Sequence, residues 1–169
     1  MPTNIEIKAR VRNSVKIRSL AEALADSSKQ VIEQEDVFFQ VPHGRLKLRI
    51  FAGNSGELIG YERDDRQGPR ECRYFISRTS EPGSLKTVLQ AALGVRGVVR
   101  KQRTLYLTGQ TRIHLDDVEG LGLFAELEVV MREDQSREEG IQIAKDLMTQ
   151  LEIADSDLVT EAYIDLLAG

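Results

Sequence analysis

Alternation with period two recurs along most of this chain, and it restricts the fold more than any other feature. Between Asn4 and Arg10 the even positions are Asn4, Glu6, Lys8 and Arg10, while the odd ones are Ile5, Ile7 and Ala9. Successive side chains of a strand point to opposite faces, so this segment reads as a strand with one charged and one apolar face. The pattern returns in RLKLRIF from Arg45, VVRKQRTLYL from Val98, RIHLDD from Arg112 and FAELEV from Phe124. QVIEQEDVFFQ, ELIGYER and RECRYFISR bring the count to about seven or eight strands. Between them lie turn residues: Pro42 with Gly44, GNSGE at 53–57, the polar DDRQGPR at 64–70, TGQ at 108–110 and EGLG at 119–122.

Four segments carry the longer period of a helix. Asn13 or Ser14 caps the first, whose Val15, Ile17, Leu20, Ala21 and Leu24 recur at helical spacing through about Ser28. Ser84 is the expected cap of a short helix bearing Leu85, Val88, Leu89 and Leu93, with Gly94 as its stop. Ser136 and Glu139 form a capping box before Ile141, Ala144, Leu147, Met148 and Leu151. SDLVTEAYIDLL, 156–167, is the last predicted helix. Strands in hairpins with helices at one side give an antiparallel α+β fold whose sheet can close into a barrel. At 169 residues the chain suits one core and one domain, 1–169.

The net charge of −4 disfavours a generally basic nucleic-acid binder. Cys72 is the only cysteine, so no disulfide can form within the chain, which suits a reducing compartment. No apolar run approaches the length of a membrane span, and a cytoplasmic location is expected.

A solvated sheet face explains the polar side of any one strand. The faces taken together do not fit that reading. Arg45, Lys47 and Arg49 are successive neighbours on one face, and Lys101 with Arg103 repeats the arrangement, which repels itself unless anions compensate. Arg112, His114 and Asp116 share another face, and Glu126 with Glu128 a third. The reverse faces are apolar, with Ile5, Ile7, Leu46, Leu48, Ile50, Ile113, Leu115, Leu127 and Val129, and are suited to a cover of helices. If the sheet closes, its charged face lines the interior and can hold a small polyanion. Basic groups would grip phosphate oxygens, and carboxylates beside them make sense as ligands of a hard divalent cation such as Mg²⁺ or Mn²⁺.

IEIKARV, QEDVFFQVP, RLKLRI, VRKQRTLYL, RIHLDDVEGLGLFAELEVV and AYIDLL together resemble the CYTH superfamily, the triphosphate tunnel metalloenzymes. Their order and spacing are most like the class IV adenylate cyclase branch, from about residue 4 to 167. The resemblance implies an eight-stranded antiparallel β-barrel with flanking helices, binding a triphosphate such as ATP or tripolyphosphate. It implies phosphate contacts from Lys8, Arg45, Lys47, Arg49, Lys101 and Arg103, and Arg112, on the polar face of its own strand, is expected to join them. It implies metal contacts from Glu6, Glu126 and Glu128, and a catalytic part for Glu6, Lys8 and Asp116. Asn4 stands where the family's N-terminal motif has a further Glu, and a neutral amide is a weaker ligand for a hard cation. Where the family often has a lysine after the aromatic of its fourth strand, this chain has Tyr61, Glu62 and Arg63.

The implied reaction is conversion of ATP to cAMP and pyrophosphate. The same residues serve a triphosphatase acting on tripolyphosphate, thiamine triphosphate or a nucleoside triphosphate, and they serve a binding module with weak catalysis. The sequence leaves a homodimer open. His114 reads equally as a tunnel residue or a hydrogen-bonded core histidine. Tyr163, Phe38 and Phe39 read as packing residues, Cys72 as a small strand residue and EGLG as a turn.

Overall fold

In the computed structural model, which describes residues 2–63 and 68–169, eight antiparallel strands close into a barrel. The strands are β1 (Thr3–Arg10), β2 (Gln30–Phe39), β3 (Arg45–Phe51), β4 (Ser55–Arg63), β5 (Arg70–Thr79), β6 (Val95–Thr108), β7 (Thr111–Val118) and β8 (Gly122–Val130). Around the ring they run β1-β5-β4-β3-β2-β6-β7-β8, and β1 closes it by pairing with both β5 and β8. Most of the predicted DDRQGPR loop lies outside the described residues.

The apolar faces point outward, as the alternation requires, and helices cover them. Helices α1 (Ser14–Leu24) and α3 (Arg137–Gln150) bury Ile5, Ile7, Ile113, Leu115, Leu127 and Val129 with their own Ile17, Ala21, Ala144 and Leu147. Helix α2 (Pro82–Leu93) lays Leu85, Leu89 and Leu93 against Val37, Phe39 and Leu48. Helix α3 comes so near the barrel that a β-carbon on Gly140 would lie 2.4 Å from Met131 Sδ and 2.8 Å from Ile5 Cγ1.

Helix starts follow local chemistry. Asn13 accepts from the Lys16 amide at 3.0 Å, and Ser136 and Glu139 complete their reciprocal box. The expected Ser84 cap is corrected: α2 begins two residues earlier at Pro82, whose ring presets the helical φ, and the Ser84 hydroxyl donates to the Glu81 carbonyl. Helix α1 stops at Leu24 rather than near Ser28, because the Asp26 amide turns to donate to the Leu107 carbonyl of β6.

The predicted 156–167 helix also splits. A 3₁₀ turn at Asp155–Asp157 leads into an extended strap, and only Tyr163–Ala168 form a helix, α4. Contacts with the barrel hold the strap straight: Leu158 bridges to Ala9, and the Val159 amide donates to the Lys8 carbonyl at 2.9 Å. Ile164 of α4 packs where β6 offers Gly97, and a β-carbon there would lie 2.3 Å from Ile164 Cδ1.

Candidate functional site

The strand registers fix what the barrel encloses. Glu6, Lys8, Lys47, Arg49, Lys101, Arg103, Arg112, Glu126 and Glu128 face an interior cavity of about 250 Å³. Lys8 stands opposite Glu126, Glu6 opposite Glu128, and Arg112 also opposite Glu128, so acids and bases interleave across β1, β8 and β7. His114 lines the cavity as well. Arg45 shares the inward face of β3 but is not part of the cavity lining; both its terminal nitrogens donate to Asp165 of α4 at 3.3 Å.

Glu6, Glu126 and Glu128 bring one carboxylate oxygen each to within 4.8 Å of one another. Burial, followed by the nearness of Glu128 and Glu126, pushes the Glu6 carboxyl up to about 8. Burial would also raise Glu128, yet His114 and Arg112 outweigh it and hold its carboxyl below the ordinary range. Beside them Asn4 is buried; its amide nitrogen donates weakly to Glu6 at 3.4 Å and its oxygen has no hydrogen-bond partner. Three crowded carboxylates and an orphaned amide oxygen form a hard, oxygen-only donor set, and the residues fit an Mg²⁺- or Mn²⁺-like cation.

The basic wall is braced by two carboxylates. Asp116, expected from the resemblance to have a catalytic part, is 0% exposed and stands behind the cavity lining. Its oxygens accept from Arg103 at 2.7 and 2.8 Å and from the Tyr163 hydroxyl at 3.0 Å, with Lys101 at 3.1 Å. Asp36, which the sequence reading passed over, takes Arg49 bidentately at 2.9 and 3.0 Å with Lys47 at 3.8 Å. Burial would raise both carboxyls, but the adjoining cations hold them well below the usual range. Burial, together with nearby cations, lowers Lys101 to about 8 and Lys8 to about 7.

Tyr163 is also more than packing. Lys8 Nζ lies 4.0 Å and Lys101 Nζ 4.8 Å from its ring centroid, so one aromatic faces two buried cations. Phe38 does belong to packing, in a cluster with Val99, Val118, Phe124 and Ile164. Arg63 lines the cavity, for it shares a face with Tyr61, whereas Glu62 between them is exposed. The sequence held that information in its parity. Nothing local to YIDLL announces the Tyr163 contacts, which span 47 residues to Asp116.

A family model, the CYTH domain, matches residues 2–163. The chain belongs to the CYTH family. Adenylate cyclase CyaB of Aeromonas hydrophila is 33% identical over 135 residues, covering 78% of this CYTH chain and 70% of that protein. The PH1012 protein of Pyrococcus horikoshii superposes with a TM-score of 0.86 at 28% identity, across 96% of this chain and 98% of the other. HpAC1 of Hippeastrum, for which a dominant triphosphatase activity is described, shares the CYTH fold at a TM-score of 0.66 and 16% identity, over 90% and 89% of the two chains. No helix among the described residues is long and apolar enough to cross a membrane.

Proposed function

We propose that this CYTH protein is a divalent-metal-dependent enzyme that acts on a triphosphate inside the barrel, converting ATP to cAMP and pyrophosphate. The observation that carries the reading is the three-carboxylate cluster set against a basic wall within one cavity. Among the described lining residues seven side chains are basic and five acidic. That surplus suits a polyanion, and the acids suit the cation it brings.

Lys8, Lys47, Lys101 and Arg103 bind phosphate oxygens, with Arg49 and Arg112 extending the grip. Glu6, Glu126 and Glu128 would hold Mg²⁺ or Mn²⁺, which when bound offsets charge on the phosphoryl oxygens. Asp116 from behind the wall and Asp36 from within the lining keep Arg103 and Arg49 in fixed orientation. Such preorientation matters because charge in phosphoryl transfer builds on oxygens whose positions the fixed cations already match. In the cyclase reaction the ribose 3′-hydroxyl gives up its proton to solvent as its oxygen forms a bond to the α-phosphorus, the α–β bridging P–O bond breaks, and pyrophosphate leaves.

A triphosphatase is the second reading. The same groups would then serve attack by water on a terminal phosphorus, and the triphosphatase activity described for HpAC1, on a like barrel, favours it. Incubation with ATP or with tripolyphosphate under Mg²⁺ and under Mn²⁺, followed by chromatographic identification of products, separates the two. cAMP with pyrophosphate supports the cyclase; ADP or phosphate supports the hydrolase. Absence of any product with either metal refutes both.

A further inference from the structure

Among the described residues four buried side-chain polar atoms have no hydrogen-bond partner, and two of them, Asn4 Oδ1 and His114 Nδ1, border the carboxylate cluster. Buried polar atoms are almost always partnered, so each orphan calls for a physical reason. The Asn4 oxygen belongs with the oxygen donors of the cluster. His114 brings a different element. It comes from β7, across from Glu126 on β8 and from the apolar Leu105 on β6. Its side chain lines the cavity, and the residue is 4% exposed. Nδ1 stands 3.5 Å from Glu128 Oε1, too far for a well-formed hydrogen bond, and that oxygen already accepts from Arg112 Nε at 3.2 Å. Two neighbouring donor atoms on one six-coordinate cation stand about 3 Å apart when each bond to the metal is about 2.1 Å long. The separation of ring and carboxylate is one that a shared cation closes with a small movement.

Resting on the metal-dependent reading above, we infer that His114 Nδ1 is a nitrogen ligand of the cation held by Glu6, Glu126 and Glu128, and that it makes the site selective for Mn²⁺ or Co²⁺ over Mg²⁺. The selectivity follows from donor chemistry. Mg²⁺ takes oxygen ligands and gives up its waters reluctantly, whereas binding to a nitrogen and oxygen site strengthens along the first-row series from Mn²⁺ to Co²⁺. Three carboxylates alone would serve either kind of ion. The imidazole is the one group of the set that separates them.

Electron spin-echo modulation of Mn²⁺ bound to the full chain, with no substrate present, tests this without reference to turnover, because it detects nitrogen in the inner sphere of the ion. Coordination by His114 gives a ¹⁴N modulation that disappears when the unaltered protein is grown on ¹⁵N-histidine. The chain's other histidine, His43, is exposed between β2 and β3 and lies outside the cavity lining. His114→Asn, which puts an oxygen near the place of Nδ1, should abolish the modulation. In calorimetric titration it should lower Mn²⁺ affinity at least about tenfold and leave Mg²⁺ affinity unchanged. Mn²⁺ bound by the unaltered protein with no nitrogen modulation overturns the inference while the carboxylate site stands. A modulation that survives His114→Asn overturns it too, since its source would be His43. If the unaltered protein binds no Mn²⁺, or if Glu128→Gln binds it undiminished, the carboxylate site falls and this inference with it.

Discussion

Asp116→Asn removes one charge and almost no volume, and the surroundings of Asp116 set the consequence. The carboxylate is fully buried and serves Arg103 twice, Lys101 and the Tyr163 hydroxyl. An asparagine can place only one oxygen there; its amide nitrogen would face a donor, and two buried cations would lose their nearest counter-charge. Breaking a buried ion pair from one side destabilises a protein by about 3–5 kcal/mol. For a chain of this length that corresponds to a fall in Tm on the order of 10 °C. Urea denaturation followed by circular dichroism, with thermal melting beside it, measures the loss in the absence of ligand.

The same reasoning gives a second observable. Tripolyphosphate carries into the cavity the negative charge that the variant lacks, so its affinity should not fall. A ligand at a hundredfold its Kd stabilises by about 2.7 kcal/mol, and the variant should gain at least as much as the parent. Asp117→Asn, one residue along and exposed on the outward face, is the control and should change stability by under about 0.5 kcal/mol. A ligand-free Asp116 variant as stable as the Asp117 control would refute the view that this carboxylate braces the wall.

Glu126→Gln and Glu128→Gln should each weaken Mn²⁺ binding by calorimetry at least about tenfold while leaving the far-ultraviolet spectrum unchanged; undiminished binding would remove these residues from the ligand set. Glu6 should give the metal-free protein an unusual pH profile. Its folded value of about 8 lies above its ordinary 4.5, so the folded state keeps a proton the unfolded state has lost, and stability should fall as pH rises from about 4.5 to about 8. Saturating Mg²⁺ should flatten that slope, and denaturant midpoints across pH with and without the ion would detect it. Asp36 and Asp116 act in the opposite sense: depressed in the fold from 3.8, they contribute stability that is complete above that value and declines as pH falls below it. Gly140→Ala should destabilise by about 1–3 kcal/mol with an unchanged denaturant slope, since its β-carbon meets Met131 and Ile5.

The two faces of the barrel were legible in the sequence because a strand's period is fixed by its backbone. Once β1, β3, β6, β7 and β8 are aligned, parity alone puts Glu6, Lys8, Lys47, Arg103 and Glu128 on one side and Ile5, Leu48 and Leu127 on the other. Asp36 obeys the same rule, lying two residues from Gln34 and from Phe38, and continued parity would have found it. Depth was not legible: Asp116 and Glu126 both face inward, yet one lies behind the lining and the other in it, a difference set by which long side chains fold across them. The strap and Tyr163 were lost for another reason. Apolar spacing in SDLVTEAYIDLL suits a helix, and only the pull of β1 on Leu158 and Val159 draws the first half straight.

The closure of the ring by β1 also governs the order in which the molecule can assemble. β1 meets β5 through four residue pairs and β8 through seven, so its main partner follows it by more than a hundred residues. Hairpins such as β3–β4 and β7–β8 can form within their own neighbourhood, while β1 waits, and the long loop it must close slows the final step. During that wait Ile5 and Ile7 lie on an unpaired edge, a hazard for association between chains. Glu6, Lys8 and Arg10 alternate with them along the same edge and discourage such pairing. The charges that line the finished cavity would therefore protect the unfinished one.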